Sequence, residues 1–100
     1  MDFGQAIAAL KAGKRVARAG WNGKGMWLAL QAGSVITAEQ ARGGAALGRA
    51  QEGETQINIL PHIDMRAADG SIVVGWLASQ TDMLAEDWTE VEPGRVAVSV

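Results

Sequence analysis

Apolar positions recur along the chain in two rhythms. Near the start, Phe3, Ala6, Ile7 and Leu10 fall three and four residues apart, the spacing of one helix face. Asp2 followed by Gln5 is a capping box, in which the carboxylate accepts from backbone N–H groups and the amide reaches back. Lys11 suits the negative end of a helix, and Gly13 the left-handed conformation that closes one. A helix with a single apolar stripe is predicted over about residues 3 to 12. The rhythm then shortens: KRVARAG (14–20) and GMWLALQAG (25–33) read as two strands joined by WNGKG (21–25). Asn22-Gly23 in that joint is a hairpin signal, because both central positions of a type I′ turn need positive φ.

Residues 33–56 break the rhythm and read as a mobile excursion or insertion. Thr37 can cap a short helix through AEQA, but Gly43, Gly44 and Gly48 argue against a longer one. Two apolar runs follow around Asp69-Gly70, a second hairpin signal, with Pro61 marking a strand edge, a bulge or a strand start. In SQTDMLAEDWTEVEP (79–93), Ser79 or Thr81 can cap a short helix whose face carries Leu84 and Trp88, with Met83 beside them. The tail GRVAVSV (94–100) alternates and reads as an edge strand or an arm. The whole pattern predicts class α+β: an N-terminal helix packed on a small antiparallel sheet, with a short helix near the C-terminal end, in one domain over residues 1–100.

Composition narrows the possible chemistry. One hundred residues with 48% hydrophobic content make a thin core, so oligomerisation is the expected source of further burial. There is no cysteine, which excludes disulfides and thiolate sites. No basic leader with a long apolar run and no membrane-length apolar run occurs, so a cytosolic protein is expected. A net charge of −2 argues against general nucleic-acid binding. Its distribution is uneven: Lys11, Lys14, Arg15, Arg18 and Lys24 have no acid among them, whereas Asp82, Glu86, Asp87, Glu90 and Glu92 have no base. Either a local anion site or a solvated helix end followed by an exposed strand face would produce this.

Catalysis finds little support. His62, the single histidine, lies in an apolar strand where packing is the ordinary role, although Asp64 could orient it. Glu86 and Asp87 are adjacent and would diverge on a helix, and no metal-ligand set or nucleotide fingerprint is present. Binding finds more. Trp21 and Trp27 flank a glycine-rich turn in which Gly23 and Gly25 let backbone N–H groups approach an anion and Lys24 adds a charge. An indole face can stack a purine. Ser79, Gln80, Thr81 and Asp82 follow Trp76 with groups able to hydrogen-bond sugar hydroxyls or a base edge. The same residues also serve as core filler and helix caps, and only their meeting in space decides between these roles.

The stretches MDFGQAIAALKAGKRVARAGWNGKGMWL and GWLASQTDMLAEDW resemble the phage and prophage family of Thoeris anti-defence proteins of the second type, over roughly residues 1–32 and 57–91. The resemblance rests on W-N-G-K and W-L-A-S-Q-T-D-M-L-A-x-D-W, both long and compositionally unusual. It implies a small homotetrameric sponge that sequesters cyclic ADP-ribose isomers made by bacterial TIR-domain proteins, without turnover, cofactor or metal. On that resemblance Trp21, Asn22, Gly23 and Lys24 would form one wall of the ligand pocket and Trp76, Ser79, Gln80, Thr81 and Asp82 another, shared between protomers. Trp21 would stack adenine, Lys24 would hold the pyrophosphate, and Thr81 or Asp82 would take ribose hydroxyls. Residues 41–53 and 94–100 depart from the motifs. Their Arg42, Arg49 and Arg95 suggest a separate site for the cyclic di- or trinucleotides of CBASS defence. A cyclic-nucleotide hydrolase using Asp82 or His62, and a protein-binding module with exposed tryptophans, are the alternatives.

Overall fold

The computed structural model describes residues 1–22 and 24–93. The expected α+β class holds: among the described residues three α-helices accompany a five-stranded and a two-stranded antiparallel sheet. The chain divides into two compact units, Met1–Leu30 with Ile63 onward, and Gln31–His62.

In the larger unit, helix α1 (Phe3–Lys11) forms as its spacing predicts. The Gln5 amide N–H donates to Asp2 Oδ1 at 2.7 Å, and the Asp2 N–H donates to Gln5 Oε1 at 2.9 Å. Gly13 (φ +86°) ends the helix and lets the Lys14 N–H turn back to the Ala9 carbonyl at 3.0 Å. The sheet has the order β6-β5-β2-β1-β7, with β1 at Arg15–Arg18, β2 at Trp27–Gln31, β5 at His62–Arg66, β6 at Ile72–Val74 and β7 at Trp88–Val91. Strand β1 joins β2 through Val16 opposite Leu28, and joins β7 through a register that runs from Arg15–Val91 to Arg18–Trp88. Ala6, Ala9 and Leu10 of α1 close over Val16, Leu28 and Trp88 to make the core. Because successive strand residues face opposite ways, burial of Leu28 turns Trp27 to the other face. There Arg15 sits 4.3 Å above its ring.

Two local expectations fail for physical reasons, and a third holds with a different turn. Residues 19–26 connect β1 to β2, no non-glycine residue described has positive φ, and Asn22 therefore does not form the type I′ turn. The Asp69-Gly70 signal does mark a hairpin, but over residues 67–71: the Gly70 N–H donates to the Ala67 carbonyl at 2.9 Å and Asp69 receives the Ser71 hydroxyl at 2.6 Å. Helix α3 spans only Gln80–Leu84, and Ala85 (φ −71°, ψ 150°) takes the chain into strand geometry. Trp88 thus lies in β7, nearly wholly buried, while Leu84 is exposed.

The segment expected to be a mobile excursion or insertion falls within the smaller unit and carries regular structure. Strand β3 (Ser34–Thr37) pairs with β4 (Gln56–Ile59) over four positions, Ser34–Ile59 through Thr37–Gln56. Between them lie a 3-10 turn (Ala38–Gln40), begun at Thr37 as expected, and helix α2 (Gly44–Gln51). The glycines do not prevent α2, since Gly44 stands in its first position and Gly48 inside it. Ala45, Ala46, Leu47 and Ala50 supply the helix-favouring residues. Ile57 is the buried hydrophobic residue of this unit.

Candidate functional site

Helix α1, the loop after β1 and the segment after β6 bring four aromatic rings together. Trp88 forms the floor, with Phe3 at 5.6 Å, Trp21 at 5.4 Å and Trp76 at 6.2 Å between centroids. Trp21 and Trp76 meet edge to face at 6.5 Å, and both remain half-buried. Edge-to-face contact leaves part of an indole face available, whereas Trp88 is enclosed and fills the core.

Asp82 organises the polar side of this cluster. Its Oδ1 accepts from Arg18 Nη1 at 2.9 Å and from the Trp21 indole N–H at 3.3 Å. Its Oδ2 accepts from the Ser79 hydroxyl at 2.9 Å and the Ser79 backbone N–H at 3.1 Å. The Ser79 hydroxyl in turn accepts from the Asp82 N–H at 3.1 Å, so a reciprocal cap begins α3. Burial pushes the Asp82 carboxyl up, but the bonds from Arg18, Ser79 and Trp21 outweigh it and hold the group below its ordinary pKa. Arg18 also donates from Nε to Asp87 Oδ1 at 2.9 Å. That bond is the largest cause of the lowered Asp87 pKa. The guanidinium itself is raised by the two acids, Asp87 first.

The loop that carries Trp21 and Lys24 is fixed at both ends. On one side the Gly20 N–H donates to Asp87 Oδ2 at 2.8 Å, and a Cβ at Gly20 would stand 2.8 Å from that oxygen. On the other, Arg66 Nη1 donates to the Gly25 carbonyl at 2.9 Å. Asn22 and Lys24 stay exposed between these points, and Gly23 lies outside the described residues.

The structure therefore brings Trp21, Trp76, Ser79 and Asp82 into one cluster, with Gln80 and Thr81 exposed on the first turn of α3 beside it. Trp27 does not join them. The uneven charge has a further meaning, since the β1–β7 pairing sets basic against acidic residues: Arg18 with Asp82 and Asp87, and Lys14 with Glu90 at 3.3 Å. Sequence reasoning missed Arg18, Asp87 and Arg66 as site residues. The complementary runs at 11–24 and 82–92 carried the signal for the first two; nothing local marked Arg66.

In the smaller unit, Arg49 is held by Glu52 at 2.5 Å and Glu54 at 3.0 Å. Arg42 is exposed, and Arg95 falls outside the described residues. Two concavities of about 280 Å³ each have none of Trp21, Trp76 or Trp88 in their lining, one being lined by Gly13–Arg15 and 90–93, the other by α2 and 57–60. Among the described residues no group of three or more His, Asp or Glu side chains could hold a metal ion, and no helix is long and apolar enough to cross a membrane.

The Thoeris anti-defense 2-like domain matches residues 1–91, a range that includes the 33–56 segment and stops before the tail. A protein of Bacillus phage SP01, Thoeris anti-defense 2, is 40% identical over 88 residues, covering 88% of this chain and 91% of the relative. The chain belongs to the Thoeris anti-defense 2-like family, and its role is anti-defence.

Proposed function

We propose that the protein is a sponge that binds cyclic ADP-ribose isomers, glycocyclic ADP-ribose among them, and holds them uncleaved in the host cytoplasm, thereby silencing Thoeris signalling. The observation that carries this reading is the half-exposed Trp21 indole, locked by Asp82 beside a loop bearing Lys24. A fixed aromatic face with a neighbouring cation suits a purine joined to a pyrophosphate. Trp21 stacks adenine against the edge of Trp76, Lys24 and the loop N–H groups take the pyrophosphate, and Gln80 and Thr81 take ribose hydroxyls.

Ser79 and Asp82 support this surface from behind, because their polar atoms already satisfy one another, Arg18 and Trp21. The same saturation argues against Asp82 as the base of a hydrolase: a carboxylate held by four donors, with its pKa lowered, is a poor proton acceptor. Nanomolar capture, about −12 kcal/mol, requires an enclosed site. A homotetramer provides that enclosure, and the exposed apolar side chains of Val74, Leu77 and Leu84 supply material for its seams. A separate cyclic-oligonucleotide site in the smaller unit would have to draw Arg49 away from Glu52 and Glu54, and so rests mainly on Arg42.

The test is to mix the protein with cyclic ADP-ribose isomers and cyclic oligonucleotides, wash, denature by heat and identify the released compounds by mass. Intact glycocyclic ADP-ribose is expected from the wild type and none from Trp21→Ala, with the backbone signal in far-ultraviolet circular dichroism retained. A linear product would make the protein a hydrolase, and an empty eluate would favour the protein-binding alternative.

A further inference from the structure

Arg66 stands at the end of β5, outside the motifs by which the site was recognised. Its Nη1 donates to two carbonyls, Gly25 at 2.9 Å and Ala67 at 3.2 Å. It thereby ties the β1–β2 loop to the β5–β6 turn. Gly25 (φ +78°) is shaped for this contact: a Cβ there would lie 2.8 Å from Nη1, and L side chains rarely adopt its backbone conformation. A cationic donor shared between two backbone turns fixes their separation more firmly than a neutral hydrogen bond would.

The loop therefore has unequal anchors. Gly20 and Trp21 are held through Asp87 and Asp82, both gathered by Arg18, whereas the far side of the tip depends on Arg66. Asn22 and Lys24 lie between. We infer that Arg66 is a positioning residue: by clamping Gly25 it holds the neighbouring Lys24 where it receives the ligand's phosphates, while Trp21 is positioned independently of it. This rests on the reading of the loop as a pyrophosphate site, and the two parts can be tested apart.

Arg66→Ala, Arg66→Lys and Gly25→Ala are compared with the wild type, first without ligand by backbone and indole ¹⁵N relaxation. In Arg66→Ala the amide order parameters of Lys24 and Gly25 are expected to fall from about 0.85 to 0.6 or less. The Trp21 indole N–H, bonded to Asp82, should keep its value. General destabilisation would loosen both. Lysine can still donate to one carbonyl, so Arg66→Lys should recover part of the order.

Titration then uses two probes, glycocyclic ADP-ribose and adenosine. Arg66→Ala should weaken the first about tenfold, chiefly through faster dissociation, and leave the second unchanged. Gly25→Ala should do the same, and the double variant should lose little more than either single one. Unchanged order at Lys24 and Gly25, or an equal loss for both probes, would overturn the inference. Should the wild type bind neither probe, the sponge reading falls, and the relaxation data alone still decide whether Arg66 fixes the loop.

Discussion

Both units combine an antiparallel ladder with α-helix, two helices in the larger and one in the smaller, yet they hold their shape by different means. The five-stranded unit fully encloses Val16 and Leu28 and nearly encloses Leu10 and Trp88. In the smaller unit Ile57 is buried, while α2 has no buried residue. Its order comes from the β3–β4 ladder, the Gln40 side chain on the Thr37 N–H, and the Arg49 ion pairs. Where the core is dense, the polar group drawn inside, Asp82, has to be saturated, and its saturation fixes Trp21 at the surface. Where the core is thin, ion pairs are exposed and backbone register carries the fold. A binding surface that must be preformed belongs on the first kind of scaffold.

Substitutions from each unit can break or sharpen that contrast. The largest effect is expected from Trp88→Ala, which removes the floor of the cluster and should cost about 3–5 kcal/mol in chemical denaturation. Loss of Trp21–Trp76 contact should accompany it in near-ultraviolet dichroism. Next, Asp82→Ala strips the buried carboxylate from Arg18 and should cost about 3 kcal/mol.

The pH dependence follows from the same group. Asp82 and Asp87 are held below their ordinary pKa, so their stabilisation is fully present above the unfolded value of about 3.9 and is lost as pH falls through the lower folded values. Denaturation midpoints of the wild type should decline below about pH 4, and more shallowly in Asp82→Asn.

Effects in the smaller unit should be weaker and local. Ile57→Ala should cost about 2 kcal/mol, read as faster hydrogen exchange in β3 and β4. Gly48→Ala should stabilise by about 0.5–1 kcal/mol, since a Cβ there meets nothing within 4 Å. The smallest effect is expected from Arg49→Ala, which breaks only exposed ion pairs and should leave the thermal midpoint unmoved. An effect of Ile57→Ala or Arg49→Ala as large as that of Trp88→Ala would erase the distinction between the units.

The local signals that held, unlike Asn22-Gly23, are ones whose side chains are tied to partners a few positions away. The Asp2–Gln5 box, the apolar stripe of α1, its Gly13 stop and the Ser79 cap all depend on residues within a few positions. The regular structure within 33–56 was not legible because its ladder joins strands separated by the whole of α2, and because the glycines outweighed the alanines around them. Trp88 was misplaced for a related reason. Its spacing from Leu84 fits a helix, but pairing with Arg18 across 70 positions of chain carries it into a strand.

For the site, the sequence by itself determined the chemical inventory: a tryptophan–glycine–lysine loop and a second tryptophan followed by hydrogen-bonding groups. Side-chain type is fixed by the sequence, and so is a cap or turn made with near neighbours. Only the tertiary structure decided their division of labour. It sent Trp27 to the other face, made Trp88 core, turned Asp82 inward onto Arg18 and Trp21, and brought Arg66 to Gly25. Those outcomes depend on pairing between segments distant in the chain, and for Trp27, Arg66 and Trp88, which lie in strands, a one-residue shift of register would turn the side chain to the opposite face.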